Sequence, residues 1–169
     1  LEKKWAQKAG LGNIGKNTLF YSNSFGSYCF ISEILINVEL PADPTLNKNI
    51  CGTCTLCMDA CPTQAIQSPY ILNASNCISY FTIESKREIP DELKNRFTNY
   101  IFGCDICQDV CPHNKQPIPN TSSDLQLPDE INDLSKQDWK QLTDESFNAL
   151  FSDSPIKRAG LKGISKLMN

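Results

Sequence analysis

The chain has 169 residues, a formal net charge of −3, 40% hydrophobic residues and 21% charged residues. This composition is typical of a folded globular protein and excludes a largely disordered one. No apolar run approaches the roughly 20 residues that a membrane-spanning helix needs, and no secretory signal pattern stands at the start. We therefore expect no membrane partner.

A helix is predicted at residues 2–9, where Gly10 and Gly12 end it. The segment Gly-Leu-Gly-Asn-Ile-Gly-Lys-Asn at 10–17 follows and is predicted to be a tight loop whose backbone packs against a bulky ligand. It does not match a phosphate-binding loop, because no strand precedes it and no Gly-Lys-Ser/Thr closes it.

A strand is predicted at 28–38, where apolar and β-branched residues are frequent. The sequence Leu-Pro-Ala-Asp-Pro at 40–44 then breaks regular structure and marks a linker.

Eight of the nine cysteines fall into two sets. The first, Cys51 to Cys61, has the spacing C-x2-C-x2-C-x3-C-P of bacterial two-cluster ferredoxins, and the second, Cys77 to Cys111, ends in the same C-x2-C-x3-C-P. The fourth cysteine of such a run binds the other cluster, so the count closes at four thiolates for each of two 4Fe–4S clusters. The predicted ligands are Cys51, Cys54, Cys57 and Cys111 for the first cluster, and Cys61, Cys77, Cys104 and Cys107 for the second. Cys29 is left over, and its apolar surroundings predict a buried structural thiol.

Other uses of cysteine are less well matched. Two zinc sites of four thiolates each would also absorb eight cysteines, and a disulfide framework would suit a small secreted chain. The odd cysteine count and the missing secretory segment argue against disulfides. The continuous cysteine triplet and the Cys-Pro that closes each set favour iron–sulfur clusters. Such clusters imply a reducing cytoplasm, so we expect a cytoplasmic protein.

The cysteine module is interrupted at 78–103, where an ordinary two-cluster ferredoxin has only two residues. This insert adds surface beside one cluster and contains a predicted helix from Pro90 to Asn99. A protein that only carries electrons does not need such an insert.

The C-terminal part begins with a polar linker at 113–128, followed by helical periodicity at 134–151. Ser154 is predicted to cap a further helix, with Pro155 at its first position. The last fifteen residues are basic and contain no acidic side chain. They are either a surface that contacts phosphate or a solvated helix face, and the residues concerned are Lys157, Arg158, Lys162 and Lys166.

Several segments together resemble epoxyqueuosine reductase, an enzyme that carries out the last step of queuosine biosynthesis on tRNA with cobalamin and two 4Fe–4S clusters. Besides the cysteine sets they are Gly10-Leu-Gly-x-x-Gly-Lys-Asn17, Gly26-Ser-Tyr, Glu33-Ile-Leu, Cys77-Ile-Ser-Tyr80, Phe102-Gly-Cys-Asp105 and Ser154-Pro-Ile-Lys-Arg158. The resemblance implies an α+β chain. The end of a cobalamin-binding α/β domain would occupy 1–44, a ferredoxin-like module 45–115, and a linker with a short α-helical, HEAT-like segment 116–169.

The resemblance also implies roles for single residues. The cobalamin pocket would be lined by Phe20, Ile31, Ser79, Lys86, Cys104 and Asp105, and the tRNA would approach Glu84. Without the resemblance, Phe20 and Ile31 would be assigned to the core. Ser79, Glu84 and Lys86 would be assigned to the solvated surface. The aspartate has the alternative of capping a helical turn.

In the mechanism that the resemblance implies, an external low-potential donor reduces the first cluster, and the second cluster passes electrons to cobalamin. The family's proton donor is an Asp in an Asp-Ser/Thr motif that would precede Leu1, so no catalytic residue is predicted within this sequence, and the chain alone is expected to be an inactive monomeric fragment. A cobalamin-dependent reductive dehalogenase and a plain two-cluster electron carrier are the alternatives.

Overall fold

The computed structural model describes residues 1–45, 48–97, 100–116 and 118–166. Its α-helices are short, from four to seven residues, and they are α1 (Glu2–Lys8), α2 (Leu56–Asp59), α3 (Ile78–Ile83), α4 (Asp91–Lys94), α5 (Ile106–Asp109), α6 (Asp129–Asn132), α7 (Lys136–Gln141), α8 (Asp144–Leu150) and α9 (Gly160–Ser165). Among the described residues, four 3-10 helices lie between them, at Ala74–Asn76, Pro112–Asn114, Ser123–Leu125 and Pro155–Arg158. Helices and strands both occur, in agreement with the predicted α+β class.

Two antiparallel hairpins supply the strands that the structure describes. β1 (Gly12–Ile14) pairs with β2 (Phe20–Ser22), and β3 (Ile66–Ser68) pairs with β4 (Ile71–Leu72). The prediction of a loop throughout 10–17 is therefore wrong at its centre, because these residues find a partner strand that local composition does not reveal.

The chain divides into two compact units. The first unit contains Leu1–Asn73 and Asp105–Ile118, and the second unit contains Ala74–Cys104 and Pro119–Asn169. The proposed domain boundaries at 44 and 115 stay predictions. No helix within the described ranges is long and apolar enough to cross a membrane.

The first unit is built around the hairpin β1–β2. Phe20 and Tyr21 are buried here, as is Ala6 on α1. Gly10 follows the end of α1 with a positive φ of 72°, as predicted for a helix-ending glycine. Gly12 instead lies in β1, where a Cβ atom would collide with the backbone of Tyr21, so the close approach of the two strands requires glycine.

The predicted strand at 28–38 is not formed. Phe30, Ile34 and Leu35 are 92%, 86% and 96% exposed, and no strand among the described residues pairs with this segment. A strand is stable only when neighbouring backbone groups complete its hydrogen bonds, so β-branched composition alone is insufficient. The prediction for Cys29 fails with it, because this thiol is half-buried rather than buried.

The second unit has two hydrophobic clusters. The insert cluster consists of Ile78, Phe81, Ile89, Leu93 and Phe97. The C-terminal cluster consists of Ile131, Phe147, Phe151, Ala159 and Ile164. The 26-residue insert thus folds around apolar side chains of its own.

The helix predictions for the second unit are correct in place but too long. The helix expected from Pro90 to Asn99 is α4, which ends at Lys94, and Asn99 lies outside the described residues. The periodicity at 134–151 is divided between α7 and α8 because Thr143 caps a new helix with its side chain. Ser154 caps the next helix as predicted, and Pro155 is its first residue, although this first turn is a 3-10 helix.

Candidate metal centre

Four cysteines of the first unit surround one cavity of about 170 Å³. They are the predicted ligands of the first cluster, Cys51, Cys54, Cys57 and Cys111. The remaining lining residues are Lys16, Asn17, Tyr21, Ile50, Leu56, Pro112 and His113. Short helices position the thiols: α2 carries Cys57 on its first turn, and α5 ends just before Cys111. The structure therefore brings together residues that are up to 60 positions apart in the sequence.

The electrostatics of Cys57 show the same convergence. Burial raises the pKa of its thiol, and the nearby thiolates of Cys51, Cys111 and Cys54 raise it further. Four ionised cysteines around one cavity would repel one another, and the cationic core of an iron–sulfur cluster with four cysteine ligands would offset this repulsion. The donor set therefore fits a 4Fe–4S cluster.

A single metal ion fits less well. Within the described residues, no three His, Cys, Asp or Glu side chains come close enough together to hold one ion. A cluster of four irons spreads its ligand sulfurs farther apart than one zinc ion does, so wide spacing around a cavity favours the cluster. No disulfide links any of the nine cysteines, all of which lie in the described ranges.

The turn of the hairpin β1–β2 forms hydrogen bonds to the segments that carry the cysteines, which we call the ligand loops. The backbone N–H of Lys16 donates to Cys51 Sγ at 3.4 Å, and Lys16 Nζ donates to the carbonyl oxygens of Gly52 and Cys54 at 2.8 and 2.7 Å. Asn17 Nδ2 donates to the carbonyl oxygen of Cys107 at 3.2 Å and to Tyr21 Oη at 2.8 Å. The sequence predicts that this segment packs against a bulky ligand, but it does not predict the hydrogen bonds of Lys16 and Asn17 to the cysteine-bearing segments.

A second polar anchor lies just after Cys111. Asn114 is 7% exposed, and its Oδ1 accepts from the backbone N–H of Ser27 at 2.9 Å. Its Nδ2 donates to Ser27 Oγ at 2.7 Å and to the carbonyl oxygen of Gln108 at 2.9 Å. These bonds connect the turn after β2 to the last ligand loop, so the backbone around Cys111 is held at two sides.

The predicted ligands of the second cluster divide between the units. Cys61 and Cys107 belong to the first unit, and Cys77 and Cys104 to the second. Burial raises the pKa of the Cys61 thiol, but hydrogen bonds from the Thr63 hydroxyl and from the backbone N–H groups of Ala65, Ile66 and Thr63 outweigh burial and lower it overall. Hydrogen bonds of this kind stabilise a thiolate, the form that binds iron.

The two cysteines of the second unit adjoin the insert. Cys77 is the residue before α3, and Cys104 packs against the insert cluster. Thr82, on α3, is buried and ties the two ends of the insert together. Its hydroxyl donates to the carbonyl oxygen of Ile78 at 2.9 Å and accepts from the backbone N–H of Gly103 at 2.9 Å.

The residues assigned to cobalamin by resemblance differ in exposure. Phe20 is 6% exposed and belongs to the hairpin, which agrees with the alternative of a core residue. Ile31 and Ser79 are half-buried, whereas Lys86 and Asp105 are exposed. Asp105 precedes α5 without capping it through its side chain, and its Oδ1 accepts from Gln108 Nε2 at 2.6 Å.

Glu84 is exposed and pairs with Arg158 in the second unit. The guanidinium of Arg158 donates to Glu84 Oε2 at 2.7 Å. The side chain assigned to tRNA by resemblance is thus joined to the basic C-terminal stretch.

Comparisons with known proteins support this interpretation of the site. Residues 50–114 match the family model described as a 4Fe-4S double cluster binding domain. These residues contain all eight cysteines of the two predicted sets. Over these residues the chain is therefore similar to a module that binds two 4Fe–4S clusters.

The particular resemblance predicted from the sequence is also confirmed. The chain is 44% identical to an epoxyqueuosine reductase from Cellulophaga algicola over 98% of its own length and 54% of that protein. It matches epoxyqueuosine reductase from Bacillus subtilis, solved with its catalytic loop swung out of the active site, with a TM-score of 0.92 and 32% identity. This match covers 99% of the chain and 45% of the Bacillus protein.

A third match is a crystal structure of epoxyqueuosine reductase with an epoxyqueuosine-modified tRNA-Tyr stem loop. It also has a TM-score of 0.92 and 32% identity, and it covers 99% of the chain and 44% of that protein. The chain spans about half the length of the curated relatives it matches.

Proposed function

We propose that this chain is the iron–sulfur part of an enzyme that reduces epoxyqueuosine to queuosine in tRNA. The observation that carries the proposal is the cavity surrounded by Cys51, Cys54, Cys57 and Cys111, in a chain that is 44% identical to an epoxyqueuosine reductase. The matched structure with an epoxyqueuosine-modified stem loop supports tRNA as the substrate.

The reaction requires a source of electrons. Opening an epoxide to an alkene consumes two electrons and two protons and releases the oxygen as water. When bound, the two clusters would deliver electrons one at a time to cobalamin, and cobalamin would supply the reducing chemistry at the substrate. The cysteines of this chain would hold the two clusters in position.

Each cofactor has proposed ligands or contacts. The first cluster takes Cys51, Cys54, Cys57 and Cys111 and receives electrons from an external low-potential donor, whereas the second takes Cys61, Cys77, Cys104 and Cys107 and lies on the cobalamin side. The cobalamin contacts are Phe20, Ile31, Ser79, Lys86, Cys104 and Asp105. These assignments rest on cysteine spacing and on the resemblance.

The tRNA is proposed to contact the second unit. Lys157, Arg158 and Lys162 are exposed, and such side chains attract phosphate. Arg158 also pairs with Glu84, so one polar surface combines a carboxylate that can accept hydrogen bonds with neighbouring cations. We propose that the enzyme lies in the reducing cytoplasm, because cysteine thiols stay reduced there, and that it is a monomer.

The test uses the intact protein, reconstituted without oxygen with iron, sulfide and cobalamin and reduced chemically. It is incubated with tRNA that carries epoxyqueuosine, and the nucleosides are separated and weighed by mass spectrometry. The expected product is queuosine, one oxygen lighter than the substrate. The same protein kept oxidised is the control and should leave the nucleoside unchanged.

The alternatives give different results in the same preparation. Fully loaded, reduced protein that leaves the tRNA unchanged would refute the proposal. If it instead removed halide from an organohalide, the dehalogenase alternative would be correct. If it passed electrons to an added acceptor but altered neither substrate, the plain electron carrier would be correct.

A further inference from the structure

Lys16 is a lysine whose ammonium group is turned into the protein. The residue is only 9% exposed, and its Nζ donates to the carbonyl oxygens of Gly52 and Cys54, at 2.8 and 2.7 Å. Among the described residues, no carboxylate forms an ion pair with it. Burying a cation against neutral carbonyls is costly unless a negative charge lies nearby.

The first cluster would supply this negative charge beside the ammonium group of Lys16. Lys16 lines the same cavity as the four cysteines, and its own backbone N–H donates to Cys51 Sγ at 3.4 Å. A 4Fe–4S core held by four thiolates is anionic, and each added electron makes it more so. A desolvated cation and an N–H···S hydrogen bond both stabilise the reduced form more than the oxidised form.

We propose that Lys16 raises the midpoint potential of the cluster held by Cys51, Cys54, Cys57 and Cys111. The inference rests on the ligand assignment of the proposed function and adds a potential-setting residue to it. The step concerned is a one-electron reduction of the cluster by an external low-potential reductant, in which no bond to the protein forms or breaks. A higher potential makes this cluster easier to reduce, which suits its proposed role as the cluster that receives electrons from the external donor.

The hairpin explains how Lys16 is held in place. The backbone of the hairpin turn is fixed by the bond from Gly15 N–H to the Leu19 carbonyl and by the bond from Tyr70 N–H to the Lys16 carbonyl, both 2.9 Å. Asn17 anchors the same turn to the carbonyl oxygen of Cys107. The ammonium therefore has little freedom to leave the ligand loop.

The test is a redox titration of the intact, anaerobically reconstituted protein, followed by electron paramagnetic resonance at matched iron content. Lys16→Met removes the charge while keeping the length of the side chain. We expect the midpoint potential of one cluster to become more negative by at least about 59 mV. For a one-electron couple, this shift lowers the reduced-to-oxidised ratio tenfold at a fixed potential. The signal that Cys54→Ser abolishes identifies this cluster.

Three further variants make the result specific. Lys16→Arg keeps the charge, so its midpoint potential should stay close to that of the unmodified protein. Lys16→Gln is a second neutral variant for the case that Lys16→Met loses iron. Lys4→Met makes the same charge change at an exposed position on α1, where solvent and salt screen the charge, and should leave both midpoints unchanged.

The outcomes separate this inference from the proposed function. Unchanged midpoints in an iron-loaded neutral variant would overturn the role of Lys16 while leaving the clusters intact. Loss of iron from both neutral variants, with Lys16→Arg still loaded, would assign Lys16 a purely structural role and overturn the proposal too. Absence of any 4Fe–4S signal in the unmodified protein would instead refute the ligand assignment itself.

Discussion

Asn114 offers a direct test of how the last ligand loop is held. Asn114→Ala removes three hydrogen bonds, two to Ser27 and one to Gln108. Each such bond contributes about 0.5–1.5 kcal/mol net, so the free energy of local opening should fall by roughly 1.5–4.5 kcal/mol. Because the freed backbone groups lie in a partly buried region, the upper half of this range is the better expectation.

Native-state hydrogen exchange measures this opening directly, since the Ser27 N–H donates to Asn114 Oδ1. Exchange of the peptide containing Ser27 should become about tenfold to a thousandfold faster, at about 1.4 kcal/mol for each factor of ten. Asn132→Ala, an exposed position on α6, is the matched control and should change nothing beyond about 0.5 kcal/mol. If Asn114→Ala left the exchange of this peptide unchanged, the anchoring role would be refuted.

Three other predictions follow from the same structure. Phe151→Ala should lower the free energy of unfolding of the second unit by about 3–5 kcal/mol, because this ring is fully buried between Trp139 and Phe147. Urea unfolding monitored by tryptophan fluorescence measures the loss, and a loss below about 1 kcal/mol would contradict the packing. Cys104→Ser should slow cobalt reduction more than Cys54→Ser at matched iron content, whereas equal effects would reject the order of the clusters. Affinity for tRNA should fall as salt rises, and Lys162→Ala should reduce the slope of log affinity against log salt by about 0.7–0.9, while an unaltered slope would remove this lysine from the interface.

The cysteine spacing was the part of the site that the sequence could predict. A cluster ligand must be a thiolate at a fixed offset from its neighbours, so Cys51, Cys54 and Cys57 carry their meaning in local sequence. The return of Cys111 to the same cavity followed from the ferredoxin pattern, and the structure places it there.

The hairpin β1–β2 could not be predicted in the same way. Its strands have only three residues each, too few for a periodic pattern, and the glycines at 10, 12 and 15 are typical of loops. What stabilises it is long-range: Lys16 and Asn17 bond to residues 36 to 90 positions away. The opposite error occurred at 28–38, where strand-like composition was present and a pairing partner was not.

The hydroxyl of Thr82 has a consequence for how such chains can diverge. By joining Ile78 to Gly103, it closes the base of the insert one residue before Cys104. Sequence changes farther out, in the exposed turn at 87–88, are therefore insulated from the position of the iron ligand. The sequence of that turn can therefore change during evolution to suit a new partner while the position of Cys104 is preserved.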